Sequence, residues 1–381
     1  MLHFTAAEFD DRLARTRAEM ARRGLDALLL FAPESQFWLT GYDTFGFCFF
    51  QCLVVSERAP VLLTRSADLR QAQLTSTVED IRIWKDRAGA DPTADLAALI
   101  AELGLAGRRI GWETRTQGLV HQHGARLAAR LDGVAELVQA SGLMGELRLV
   151  KSPAEIGYVR RAAELADLAW DAAVGLARPG AGEAEILAAM QGAVLAAGGD
   201  YPGNEFIIGS GDHALLCRYQ SGRRTLGAED QLTLEWAGVW RRYHAALMKT
   251  ILIGRPRPEH AALQTAAEQA LLACEEALRP GRPMSEVFAA HAGVLDAAGL
   301  SAHRLNACGY SLGPRFSPSW MEDQMFYEEA PTPMAPGMVF FLHMIIMDSE
   351  TGTAMTLGRT SLVTERGAEP LSRMPLGMVV G

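Results

Sequence analysis

The sequence predicts an α+β chain in two parts: an α/β domain over residues 1–141, then a domain over 142–381 built on a curved antiparallel sheet. Three observations carry that prediction. At 381 residues the chain exceeds what one hydrophobic core organises, roughly 250–300 residues. Strand-like and helix-like patterns alternate up to residue 141, where the Ala/Glu/Arg-rich phrase SGLMGELRLVKSPAEIGYVRRAAELADLAW begins. Beyond it a strand pair over 231–253 is flanked by helical stretches, as expected for helices laid on one side of an antiparallel sheet.

The elements follow in chain order. Thr5 with Glu8 opens a capping-box pattern, and Phe9, Leu13, Met20 and Leu25 recur at helical spacing among charged residues. ALLLF at 27–31 reads as a buried strand, FWLTGYDTFGFCFFQCLVVS at 37–56 as adjacent strands broken by turns, and PVLLTR at 60–65 as their continuation. Helices are predicted over 66–75, 93–104 and 117–131, with a strand at RIGWE, 109–113. Long helices then run to about residue 198, followed by strands near 205–210 and 214–220, the pair at 231–253, helices at 258–279 and 284–298, and a strand-rich portion to 365.

Composition narrows the function. Hydrophobic residues at 49% against 21% charged supply a large core and argue against disorder. A net charge of -9 without a dense Lys/Arg run lacks the electrostatic footprint of a nucleic-acid or anionic-membrane binder, so the expected partner is a small molecule. The N-terminal segment has no apolar signal core and no apolar run is long enough to span a bilayer, which makes the cytoplasm the expected compartment. The five cysteines, Cys48, Cys52, Cys217, Cys274 and Cys308, are odd in number and lack paired zinc spacing. They read as reduced packing residues. His121 and His123, two apart in a helix, do not share a face, which argues against their holding a metal ion.

Six phrases, LRLVKSPAEIGYVRRAAELAD, SGDHALLCRY, EDQLTLEWAGVWRRYHAALMKT, GYSLGPRFSPSW, APGMVFFLHMII and LGRTSLVTERGAEPL, occur in the order of a known family. The chain resembles the pita-bread enzymes: creatinase, proline dipeptidases, aminopeptidase P and methionine aminopeptidases. Its WLTGYD region is similar to the creatinase/prolidase N-terminal domain. The resemblance implies a creatinase-like first domain, a pita-bread second domain, and a homodimer in which the first domain of one subunit leans over the partner's site. Tyr42, Asp43 and Phe45 would then help close that pocket. It also implies where the peptidase members hold two metal ions. Their five ligand positions, two Asp, one His and two Glu, fall on Glu235, Ala246, Tyr310, His343 and Gly358. Oxygen-rich dinuclear sites need several carboxylates, so no metal cofactor is expected.

Creatinase is a metal-free member, so lost ligands need not mean lost catalysis. Arg218, Met248 and Gly358 stand where creatinase's catalytic histidine and guanidinium-holding glutamates would lie, which disfavours creatine. The spellings TLEWAGVWRRYHAALMKT, GYSLG, SPSWM and FFLHMIIMDSETGTAMTLG instead resemble the ectoine hydrolases of this family, which open a cyclic amidine to N-acetyl-diaminobutyrate. That resemblance implies a zwitterionic substrate with a flat amidinium ring and a carboxylate. Glu235 would be nucleophile or general base, His343 a proton shuttle, and Tyr310 an orienting group. Arg218, or a backbone N–H near the turns, would take the substrate carboxylate, Tyr219, Trp236 and Trp320 would surround the ring, and His244 would orient or hydrogen-bond the substrate. Strand alternation already turns Trp236 away from the face of Glu235. Plainer readings stand beside these: a salt-bridged Glu235, a satisfied core His343, and an Arg218 ion pair. Two other functions stand as alternatives, a degenerate Xaa-Pro dipeptidase with weak metal-assisted activity and a non-catalytic small-ligand binder.

Overall fold

A computed structural model describes residues 2–218 and 222–381. The chain divides into two compact units, Met1–Arg148 and Leu149–Gly381. Among the described residues no helix is long and apolar enough to cross a membrane.

The first unit runs α1 (Ala6–Arg22), β1 (Ala27–Leu30), α2 (Pro33–Thr40), β2 (Cys52–Val55), β3 (Val61–Arg65), α3 (Leu69–Thr75), β4 (Asp80–Trp84), α4 (Pro92–Glu102), β5 (Arg109–Trp112), α5 (His121–Leu131), β6 (Glu136–Gln139) and α6 (Leu143–Leu149). Its mixed six-stranded sheet has the order β4-β3-β2-β1-β5-β6. Side-chain alternation builds two cores. Ala27, Leu29, Val54 and Ile110 pack under Leu96 and Ile100 of α4 and Leu127 of α5. Leu28, Leu30, Leu53 and Leu62 pack under Met20, Trp38, Ala72 and Leu143 from α1, α2, α3 and α6.

The stretch 37–56 departs from the expected strands. Residues Pro33–Thr40 are helical, Gly46–Cys48 form a short 3-10 turn, and only Cys52–Val55 is a strand. The aromatic composition favoured β, but tertiary contacts override it. The buried carboxylate of Glu113 accepts hydrogen bonds from the N–H groups of Phe31 and Ala32, both at 2.9 Å, and from Ser35 Oγ at 2.6 Å. These hydrogen bonds fix the α2 N-terminus to the Glu113 carboxyl, which burial raises to about 7; Pro33 occupies the first turn and Gly41 ends the helix in the left-handed region (φ 85°).

The second unit contains α7 (Pro153–Leu176), α8 (Glu183–Ala196), β7 (Ile207–Ser210), β8 (Asp230–Trp240), β9 (Tyr243–Ile253), α9 (Pro258–Ala277), α10 (Met284–Ala297), β10 (Ala307–Ser311), β11 (Met325–Tyr327), β12 (Val339–Asp348), β13 (Thr353–Thr364) and β14 (Gly367–Pro370). The sheet order is β11-β10-β12-β13-β9-β8-β7, with β14 on β13, and every pairing is antiparallel. The strand expected at 214–220 is absent from its described part: Gly211–Leu215 is a 3-10 turn.

Helix α7 starts at a full capping box between Ser152 and Glu155, with Pro153 in its first turn. It packs on β8 through Gly238, where an added Cβ would meet Ala162 O at 1.9 Å and Ala166 N at 2.4 Å. Both contacts are helix backbone and cannot rotate away. Gly238→Ala is therefore expected to cost about 3 kcal/mol or more, beyond the usual range for an overpacked side chain, measured as a fall in the denaturant midpoint. A midpoint equal to that of the unaltered chain would refute this close approach.

Candidate active site

Strand register gathers the site into one row. Ile207 pairs with Glu235, Glu235 with Met248, Met248 with Gly358, and Gly358 with His343, running from β7 through β8, β9 and β13 to β12. Tyr310 of β10 pairs with Phe341, two residues before His343, and so shares this face. Ala246 joins it by the same alternation from Met248. The five positions that the family resemblance singles out thus share one surface of the sheet.

Glu235 is buried, at 9% exposure, and the hydrogen bond it receives comes from the Tyr310 hydroxyl to Oε1 at 3.3 Å. Burial pushes its carboxyl up to about 7, against smaller downward pulls from that hydrogen bond and from the Arg218 charge. Tyr310 accepts in turn from Trp320 Nε1–H at 2.7 Å. The result is a directed chain, Trp320 to Tyr310 to Glu235. Burial, with the charge of Glu235 next, lifts the Tyr310 phenol well above its ordinary range, so it stays a donor.

His343 lies in a three-ring cluster, with centroids 5.7 Å from Tyr310 and 5.5 Å from Phe341. Its Nδ1 is enclosed without a hydrogen-bond partner. Burial pulls the imidazole down to about 3, leaving it neutral at pH 7. The ring therefore rests neutral, so in the expected proton-shuttle role it would begin as a proton acceptor or hydrogen-bonding group rather than as an imidazolium.

Two expectations at the site are corrected. Trp236 is fully buried on the opposite face, stacked on Trp170 with centroids 5.8 Å apart and its Nε1–H donating to Ala166 O at 2.9 Å. It anchors α7 and does not line the site. His244 faces the site side, but both its nitrogens are committed to backbone. Gly203 N–H donates to Nε2 at 2.9 Å and Nδ1 lies 3.4 Å from Gly313 O. Burial lowers it to about 3. His244 therefore ties two loops together, and Asn204, beside Gly203, accepts from the Trp320 backbone N–H at 3.2 Å. It positions Trp320 and is not free to hold substrate.

Arg218 is exposed, and its charge reaches Glu235, Tyr310 and His343. Tyr219 lies outside the described residues. In the first unit, Tyr42 is a core residue, buried with its hydroxyl 3.4 Å from both Gln51 Oε1 and Thr64 Oγ1, so the expectation that it closes a pocket is corrected. Asp43 pairs with His3 at 3.3 Å, and Phe45 is 75% exposed. Phe341 was missed by the sequence reading. Its period-two spacing from His343 was the available signal.

The donors do not fit a dinuclear metal centre. Ala246 and Gly358 offer no side-chain donor, and the Tyr310 phenol is held protonated. An added Cβ at Gly358 would meet Cε2 and Cζ of Phe341 at 2.9 and 3.0 Å and Leu342 O at 2.7 Å. The space of the missing ligand is filled by an aromatic ring.

Residues 157–365 match Metallopeptidase family M24, and residues 12–150 match the Creatinase/Prolidase N-terminal domain. Over their whole lengths, the chain is similar to an uncharacterized hydrolase/peptidase, y4tM, of Sinorhizobium fredii (28% identical, covering 100% of this chain and 99% of the relative) and to an ectoine hydrolase of Halomonas elongata (27% identical, covering 100% and 98%). Among solved structures, dipeptidase PepE from Mycobacterium ulcerans superposes with a TM-score of 0.85 at 25% identity, over 99% of each chain. A family match that spans more than half of the sequence, joined to that N-terminal domain, makes the chain a member of metallopeptidase family M24.

Proposed function

We propose that this M24 protein is a hydrolase of a cyclic amidine, ectoine or its 5-hydroxy derivative, that acts without a metal ion at the reacting carbon. The observation that carries the reading is the lone carboxylate of Glu235. It is buried, has a raised pKa, and shares a sheet face with the other positions where the family resemblance would put metal ligands, of which Ala246 and Gly358 carry no donor. The similarity to the Halomonas elongata ectoine hydrolase supports the substrate class.

An amidinium carbon is electrophilic and flat. The Phe341, His343 and Tyr310 rings give such a group an aromatic wall, and the anion of Glu235 complements its charge. Arg218 is the group to hold the substrate carboxylate. Glu235 either adds its oxygen to the ring carbon or takes a proton from a water that adds there. Both routes consume one water, break one ring C–N bond and leave the former amidine carbon as an amide carbonyl. The departing nitrogen gains the proton lost by water. A carboxyl near 7 is suited to holding that proton at neutral pH. Mass spectrometry of acid-quenched protein distinguishes the routes, since only the first leaves substrate mass on Glu235.

The deciding assay incubates the purified chain with ectoine and follows N-acetyl-2,4-diaminobutyrate. Turnover that is unaffected by EDTA and not stimulated by Mn(II) or Co(II) supports the reading. Turnover that needs either ion, or hydrolysis of Xaa-Pro dipeptides in place of ectoine, overturns it, and no turnover on either substrate favours a binding protein.

The pH profile gives a second check. Activity requires the Glu235 anion, so kcat/KM is expected to rise as pH increases through about 7. The Tyr310 hydrogen bond lowers this carboxyl, so Tyr310→Phe should move the acid limb to higher pH and reduce the plateau roughly tenfold, the loss expected from one charge-assisted hydrogen bond of about 1.5 kcal/mol. A limb that stays in place or moves down would contradict the chain from Tyr310 to Glu235.

A further inference from the structure

Behind the catalytic face, Cys274 of α9, His291 of α10 and Cys308 of β10 converge, all three buried, with one donor atom from each lying within 4.8 Å of the others. Sequence spacing gave no hint of this, because the two cysteines are 34 residues apart and the histidine lies between them on another helix. Strand alternation turns Met344 to the side of the sheet opposite its neighbour His343, and its Sδ is 3.2 Å from His291 Nδ1. A register break in β10 between Ala307 and Tyr310 coincides with Cys308, and such breaks re-aim a strand's side chains.

The second observation is an orphan. His291 is 1% exposed and its Nε2 is enclosed without any hydrogen-bond partner. With Nδ1–H directed at the Met344 sulfur, the lone pair sits on Nε2. Buried polar atoms nearly always find partners, so an unpaired one on a histidine that converges with two thiols requires an explanation.

We propose that Cys274, His291 and Cys308 form a binding site for one zinc ion. Two thiolates and an imidazole suit a thiophilic d10 cation, and Zn(II) makes the set electrically neutral, as a fully buried site requires. Zinc–sulfur bonds of about 2.3 Å place tetrahedral donors about 3.8 Å apart, so the side chains need only close by on the order of 1 Å. Binding forms two Zn–S bonds and one Zn–N bond and releases the two thiol protons to solvent. Burial holds the Cys308 thiol protonated in the metal-free protein. The ion would pin α9 and α10 to β10 at Cys308, two residues from Tyr310. This site is separate from the proposed catalytic chemistry and does not depend on it.

The test loads the reduced, metal-free full chain with Co(II) and then displaces it with Zn(II). Expected are one equivalent bound, thiolate-to-cobalt charge-transfer absorption, loss of that absorption on zinc addition, about two protons released per ion, and a higher melting temperature. His291→Phe, which keeps ring volume without a donor, should weaken binding at least tenfold, while Glu235→Gln leaves it unchanged. Absence of the charge-transfer band in the unaltered chain overturns the proposal. So does a Cys274–Cys308 disulfide forming in preference to metal uptake, or a His291→Phe variant that binds as the unaltered chain does.

Discussion

Glu235→Gln is expected to lower kcat for ectoine ring opening by on the order of a thousandfold or more, the upper part of the range for a positioned base or nucleophile, while making the protein more stable. The second half of that statement follows from the same burial that gives the residue its chemistry. In the folded chain the carboxyl binds its proton up to about 7, against an ordinary value of 4.5. Between those pH values the folded state holds a proton that the unfolded state has released, so stability falls as pH rises across the window, and the full loss is present above 7. Below 4.5 both states are protonated and the loss vanishes. The interval corresponds to about 3 kcal/mol. A neutral amide in the same place escapes it, so the variant should melt above the unaltered chain at pH 8 and together with it near pH 4. A variant that turns over normally, or one that is destabilised at pH 8, would remove Glu235 from the centre of the mechanism.

The contrast between loss of rate and gain of stability explains why this region was legible in the sequence. A lone acid between Leu234, Trp236 and Ala237 is costly to bury, and only function or a salt bridge sustains it. No ion pair to Glu235 occurs among the described residues; Arg218 acts on it only through space. The long antiparallel strands β8 and β9 and the helices α7 to α10 were also readable, because the strands are long and apolar, the helices are Ala-rich, and α7 opens on the Ser152–Glu155 capping box. Strands β4 and β6 were not. They lie at the two edges of the first sheet, and DIRIW and ELVQ are short and half polar, as edge strands tend to be. The helix α2 was misread because a carboxylate 80 residues away in sequence, that of Glu113, organises its start. At the site, the order of donation from Trp320 through Tyr310 to Glu235 was not legible, and His244 was expected at the substrate although its two nitrogens face backbone partners. Hydrogen-bond partners distant in sequence leave no local pattern to read.

Restoring the family's ligands should not restore its metal. Gly358→Glu, alone or with Ala246→Asp, is expected to destabilise the chain by about 3–5 kcal/mol, the range for an uncompensated buried charge, with overpacking adding about 1–3 kcal/mol. The first atom added already collides: a Cβ at 358 would sit 2.7 Å from Leu342 O and 2.9 Å from the Phe341 ring. Leu342 O is strand backbone and the ring is pressed against Tyr310 at 5.4 Å, so neither yields without moving a neighbour on the catalytic row. The Phe341 ring occupies the space that a side chain at position 358 would need. If that is right, Phe341→Leu should recover part of the stability lost by Gly358→Glu, giving a favourable coupling in a double-mutant cycle, and calorimetry with Mn(II) should still show no binding at this centre. An Ala246→Asp, Gly358→Glu variant that unfolds at the original midpoint and takes up two ions would mean that the dinuclear pocket survives intact beneath the substitutions, and the metal-independent reading would fall with it.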